Sequence, residues 1–325
     1  MRTSSLAITT LNLAILATVS VASANPAEIA TAAEKNESAT TRRQSLTHSY
    51  GTYGASLRTP DGHIDAQRLI ADLVEMRATT HNYLIAGAAT DWEDLHTFLP
   101  LAQKHGIRVW VTVLPPSESP PVGKAKRFSE PFRLDFEKWA AELAALSARE
   151  PALVAWSIDD FAHNLKVFTP DRMRSIIAAQ REKNPNFAFV PCVYYKQVNP
   201  TFAKRYHDYF DGILFPYRSE STKAGFESAA QVAPEVKKLK EYFGADFPII
   251  VDIYATAHSR LGPSTPDYVE QVMKLAHPVA DGVHIYRHQD KDKPKEREKY
   301  EIIKRVMPSW AATDSSGLKP PGNLD

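Results

Sequence analysis

Two adjacent carboxylates, Asp159 and Asp160, close the apolar run Leu153-Val-Ala-Trp-Ser-Ile158, and an aromatic, a histidine and an asparagine (Phe161, His163, Asn164) follow at once. Like charges on neighbouring residues repel, and burial raises the cost, so such a pair needs counter-charges, a metal or a shared proton. Paired carboxyls with separated pKa values are the working parts of glycoside hydrolysis. Counted in step with Trp156 and Ile158, Asp160 is expected to face the substrate and act as general acid, with Asp159 orienting or polarising. A third carboxylate, Asp252, sits inside Ile249-Ile-Val-Asp-Ile-Tyr254. It is read equally as a buried ion-pair member or as the second catalytic carboxylate.

The pair needs a scaffold, and from Ser49 onward the chain alternates short apolar runs with amphipathic stretches. Strands are expected at 50–55, 81–86, 107–113, 153–158, 187–195, 212–217, 248–255 and 282–288. Helix starts are signposted by Thr90 with Glu93 as a capping box, and by Thr169-Pro170-Asp171 and Thr265-Pro266-Asp267, with Thr as N-cap and Pro at the first helical position. Eight strand–helix units, roughly 30 residues apart, predict a single α/β domain, a (β/α)8 TIM barrel over residues 47–308. A doubly wound open sheet is the alternative, but no Gly-x-Gly-x-x-Gly follows any strand.

Chemistry in such barrels gathers where the strands end. Those ends carry Tyr53, Tyr83, Tyr194, Tyr195, Tyr217, Arg218, Tyr254, Tyr286 and His288, with His284 on the same strand face as His288. Aromatic faces with hydrogen-bonding tips suit a sugar ring, so these are the expected substrate contacts. The 115–131 loop, rich in proline and carrying Lys124, Lys126 and Arg127, is expected to be a lid over the mouth.

A formal net charge of +1 over 325 residues gives no long-range attraction to nucleic acid. Residues 1–24 have a charged start at Arg2, an apolar stretch and a small-residue Ala22-Ser23-Ala24 end, which predicts a secretory signal peptide and export to the periplasm or beyond. An uncleaved anchor is the alternative. Residues 25–46 read as a flexible leader, and 309–325 as a disordered tail. The lone Cys192 lies in an apolar run and reads as a packed thiol.

Taken in order, Tyr53-Gly54, Tyr83-Leu-Ile-Ala86, Asp159-Asp160 and the Asp of Val251-Asp252-Ile253 resemble strand-end motifs of the retaining hexosaminidases of glycoside hydrolase family 84. The resemblance implies a barrel with no cofactor, Asp159 holding a substrate acetamido group as internal nucleophile, and Asp160 as acid/base. The sequence departs from that family at Ala88, where a lysine is expected, and at Ile253, where an asparagine is expected. Two further classes remain: a non-catalytic carbohydrate-binding barrel, and a metal-dependent hydrolase or deacetylase using Asp159, Asp160 and His284 or His288.

Overall fold

Short apolar runs that are buried on both faces pair side by side in parallel, each returning through a helix. In the computed structural model, which describes residues 36–54, 57–258, 260–286 and 293–313, eight of them form one sheet. They are β1 (Ser49–Gly54), β2 (Thr80–Ile85), β3 (Arg108–Val113), β4 (Leu153–Ile158), β5 (Ala188–Phe189), β6 (Ile213–Pro216), β7 (Ile249–Tyr254) and β8 (Gly282–Tyr286). The order is β5-β4-β3-β2-β1-β8-β7-β6. The gap between β5 and β6 is closed by backbone bonds of 3.0 Å from Asp211 N to Phe189 O, Leu214 N to Pro191 O and Val193 N to Leu214 O. The sheet is therefore a TIM barrel. The regular part of β5 is far shorter than the expected 187–195 because Pro191 has no N–H to give the ladder.

The returning helices are α1 (Ala66–Glu75), α2 (Asp91–Lys104), α3 (Phe136–Ser147), α4 (Pro170–Lys183), α5 (Pro200–Tyr206), α6 (Val232–Phe243), α7 (Pro266–Ala276) and α8 (Pro294–Thr313). Thr169 and Thr265 cap α4 and α7 with Pro at the first turn, as the triplets predict. The capping box at Thr90 is not made. Asp91 supersedes it, because its Oδ2 accepts the backbone N–H groups of Ala86, Gly87 and Ala88 at 3.0, 2.7 and 3.0 Å while Arg58 pairs with Oδ1 at 2.5 Å.

Two apolar layers result. The outer one lies between strands and helices, and the inner one fills the barrel with Tyr53, Trp110, Ala155, Val190, Leu214 and Ile250 among others. The Trp110 ring reaches across to within 4.6 Å of His284, although β3 and β8 are not neighbours. Alternation then sends Trp156 and Ile158 outward. The Trp156 indole donates to Gln180 Oε1 on α4 at 2.6 Å and packs 4.8 Å from Phe189. This reverses the phase expected for β4: the inward series is Ala155, Ser157, Asp159.

The far end of the barrel is sealed by residues expected in a flexible leader. Residues 38–44 are helical, Arg42 pairs with Asp211 at 2.7 Å, and Leu46 is fully buried in the inner layer. The expected signal peptide, the part of the expected leader before residue 36, Arg287, His288 and residues 314–325 lie outside the described residues, while 309–313, expected in a disordered tail, are the end of α8. Among the described residues, no helix is long and apolar enough to cross a membrane.

Candidate active site

At the C-terminal ends of the strands the barrel opens into a cavity of about 740 Å³, a volume suited to a small ligand or one to a few sugar rings. Asp159 reaches it as the last inward residue of β4. Asp160 reaches it by a different device. Alternation would point it at the helices, but its backbone takes the left-handed region (φ 42°, ψ 35°), which returns the carboxylate to the mouth. That conformation costs a non-glycine residue roughly 1–2 kcal/mol, and such strain collects at working sites.

The two carboxyls are held differently. Asp160 N–H donates to Asp159 Oδ1 at 3.1 Å. Asp160 itself accepts from the Tyr194 hydroxyl at 2.6 Å, and its other oxygen lies 3.4 Å from His163 Nδ1. Burial pushes Asp160 upward, but the hydrogen bonds of His163 and Tyr194, the His163 charge and a bond from Glu118 outweigh it and hold the group below its ordinary value. Burial, followed by the charges of Asp160 and Glu118, drives Asp159 up to about 7. The Tyr53 hydroxyl approaches Asp159 and moderates that rise, yet it lacks a partner in ordinary hydrogen-bond geometry. Of the two, Asp159 binds a proton the more readily and Asp160 keeps the charge. From the sequence the higher value is expected on Asp160; in the structure the hydrogen bonds of His163 and Tyr194 hold Asp160 down while burial and the Asp160 charge raise Asp159.

Glu118 was not singled out by sequence. It lies in the 115–131 loop, whose Glu118, Lys124 and Ala125 line the cavity. Its carboxyl is raised by burial and then by the Asp160 charge and their shared hydrogen bond. The only signal available in the sequence was its position after a barrel strand. Asn164 fastens the loop to the pair: its amide donates to Ser117 Oγ at 2.8 Å and to Asp160 O at 3.0 Å, and its Oδ1 accepts from Ser117 N at 3.1 Å. Asn164→Ala is expected to destabilise the fold by about 1–3 kcal/mol, since polar groups lose partners. It should also lower kcat by about tenfold or more, as Asp160 loses its fixed orientation; thermal melting and steady-state kinetics on the same variant check both.

The expected tyrosines divide. Tyr53, Tyr286 and Tyr254 form a continuous wall, with ring centroids 5.1 and 5.3 Å apart, and Tyr194 faces them with the Arg218 guanidinium 4.0 Å over its ring. Tyr83, Tyr195 and Tyr217 are not part of the cavity. Tyr83 alternates outward between Asn82 and Leu84, and its hydroxyl donates to Asp91 O at 2.9 Å. Tyr217 stacks on Tyr268 and donates to Ser228 O at 3.0 Å, while Tyr195 packs near Phe215. His284, expected at the mouth, is on the barrel floor, 2.9 Å from Ser49 Oγ, where burial depresses it to about 3. The metal reading that drew on His284 therefore loses that ligand. One oxygen each of Asp159 and Asp160 and the Cys192 sulfur lie within 4.8 Å of one another, but burial pushes the thiol up and keeps it protonated.

Asp252 is deep in the cavity floor, its pKa raised well above normal by burial and by Asp159, and its Oδ1 has no partner. Both influences favour its protonated form over an ionised partner for Asp160. A carboxyl that binds its proton more tightly folded than unfolded costs stability increasingly as pH climbs above ~3.9. Asp252→Asn is expected to leave kcat within about tenfold of the parent and to raise the melting temperature, more at pH 8 than at pH 4. A dead but well-folded variant would make Asp252 catalytic.

The sequence matches no protein-family model, and no curated protein is similar to it in sequence. Solved structures do superpose on it. The active domain 2 of a thermostable chitinase from Pyrococcus furiosus gives a TM-score of 0.57 at 12% identity, over 84% of this chain and 97% of that one. A β-glucuronidase from an uncultured Clostridium species gives 0.54 at 12% identity, over 82% of this chain and 50% of that one. A family 39 glycoside hydrolase from Bacteroides cellulosilyticus gives 0.54 at 14%, over 81% and 64%. The chain thus spans about half the length of the β-glucuronidase. At these identities the likeness establishes the barrel fold.

Proposed function

We propose that this chain is an exported glycoside hydrolase in which Asp159 is the general acid and Asp160 the working carboxylate. The observation that carries the reading is the separation of two adjacent carboxyls, one at about 7 and one held below its ordinary value, at the mouth of a TIM barrel. Such a separation marks an acid and its ionised counterpart, and an acid with a pKa near neutrality protonates a leaving oxygen most effectively at that pH. The tyrosine wall supplies apolar faces for sugar rings, and the fold neighbours named above are glycosidases. The export part of the reading rests on the pattern of residues 1–24 alone.

In this scheme the Asp159 proton passes to the glycosidic oxygen as its bond to the anomeric carbon breaks. Asp160 meets the positive charge that develops there, either by direct attack or by polarising a group on the sugar. One oxygen of each carboxyl lies within 4.8 Å of the other. That is closer than the roughly 6.5–9.5 Å an inverting pair leaves for its water. The product is therefore expected to retain anomeric configuration, as proton NMR of the first sugar released will show. A panel of aryl glycosides and oligosaccharides tests the activity itself. Glycan binding that is unchanged in Asp160→Asn, with no turnover in the parent protein, would instead make this a carbohydrate-binding barrel.

A further inference from the structure

Opposite the acid pair, the cavity rim is built from cationic and donor side chains with few acceptors among them. Arg218, only 9% exposed, spends Nη2 on Glu220 and lays its guanidinium on Tyr194. Its Nη1 points at His258 Nε2, 3.4 Å away. His258 Nδ1 accepts two backbone N–H groups, from Arg260 at 3.1 Å and Leu261 at 3.3 Å. Donors thus face the ring at both nitrogens, Arg218 Nη1 at Nε2 and two backbone N–H groups at Nδ1, while a neutral imidazole can accept at only one of them. An oxygen beside Nη1 and Nε2 would supply the acceptor this crowding of donors is short of.

The surroundings favour a charged oxygen. Lys124 from the 115–131 loop, Arg218 after β6 and Arg260 in the β7–α7 loop all line the cavity, and all three depress the protonation of His258, after burial itself. Against them stand the cavity's carboxyls, of which Asp160 is held toward its ionised form while Asp159, Asp252 and Glu118 are pushed upward. The arrangement is also held in place. The His258 ring lies edge-on to Tyr254 at 5.4 Å and to Phe226 at 6.3 Å, and the two-residue ribbon Ala257–His258 with Gly262–Pro263 is seated by Leu261, whose Cδ2 lies 3.3 Å from where a Cβ on Gly225 would be.

Resting on the glycosidase reading, we infer that this rim is a subsite for an anionic glycan substituent, a carboxylate or a sulfate, received between Arg218 and His258 with Lys124 and Arg260 around it. The substrate class is then an acidic polysaccharide or oligosaccharide rather than a neutral one.

Calorimetry of the purified full chain tests this with three sets of probes: uronate-containing oligosaccharides of several linkages, the same oligosaccharides after carboxyl reduction, and sulfated neutral oligosaccharides. At least one anionic set is expected to bind tenfold or more tightly than the reduced set, with affinity falling as salt rises. The tighter of the two anionic sets names the substituent. His258→Phe, which keeps the ring and removes its nitrogens, and Arg260→Ala, at an exposed position, should each shrink the preference to threefold or less. Equal binding of reduced and anionic glycans, no binding of any anionic glycan, or a preference that survives both variants would overturn the subsite. Anion-selective binding without any product would keep the subsite and remove the hydrolase reading, whereas equal kcat/KM on neutral and anionic glycosides would do the reverse.

Discussion

Asp159→Asn is expected to lose about 10²- to 10⁴-fold in turnover on glycosides with poor leaving groups, the range usual for removing a general acid. Aryl glycosides with activated leaving groups, which depart without a proton, should lose far less in bond cleavage. On the proposed roles, the parent protein should show the matching pH dependence. The acid must be protonated, and with Asp159 at about 7 the rate should fall as pH rises through neutrality. The partner must be ionised, and with Asp160 held below its ordinary value the acidic limb should lie below the usual carboxylate range. Stability carries the same signature: a group raised from its unfolded value to about 7 weakens the fold progressively between about pH 4 and 7. Asp159→Asn should therefore melt higher than the parent at pH 8 and nearly level with it at pH 4. Equal loss on both classes of leaving group, with the alkaline limb unmoved, would remove Asp159 from the acid role.

Asp160→Ala is expected to abolish turnover on both classes of substrate, by about 10³-fold or more, because the residue that meets the anomeric charge is needed whatever leaves. Its second effect separates a catalytic carboxylate from a structural one. The Asp160 charge is, after burial, the main influence holding Asp159 upward. Removing it should bring the Asp159 titration down from about 7, as carboxyl carbon NMR will show. Asp160→Gly should lose the same activity while keeping or improving stability, because glycine adopts the left-handed backbone at position 160 without strain. Full activity in either variant would move the chemistry to Glu118 and Asp159 alone.

The sequence by itself determined the architecture and the address of the site. Buried parallel strands leave apolar runs, their helices leave a 3.6-residue stripe, and Thr-Pro-Asp marks two helix starts, so the eight units and the Asp159–Asp160 strand end were legible from local patterns. The same patterns misjudged phase. Along 153–158 both faces are apolar, because one packs on helices and the other fills the barrel, so hydrophobicity does not say which residues turn inward, and Trp156 and Ile158 were assigned to the wrong side. The expected roles of Asp159 and Asp160 rested on that phase, and the roles proposed above exchange them. Tyr83 and Tyr217 were misplaced through the same ambiguity, since a tyrosine at a strand end serves equally as a rim residue or as a buried ring with its hydroxyl on a carbonyl. Only the tertiary structure separates the two carboxyls, raising Asp159 and lowering Asp160. That outcome depends on a left-handed residue at 160, on Tyr194 and His163 converging on it, and on Glu118 arriving from a loop more than forty positions away. Likewise, the meeting of Arg218 and His258 depends on a turn that sets two backbone N–H groups against the other ring nitrogen, a matter of loop geometry that residue spacing does not encode.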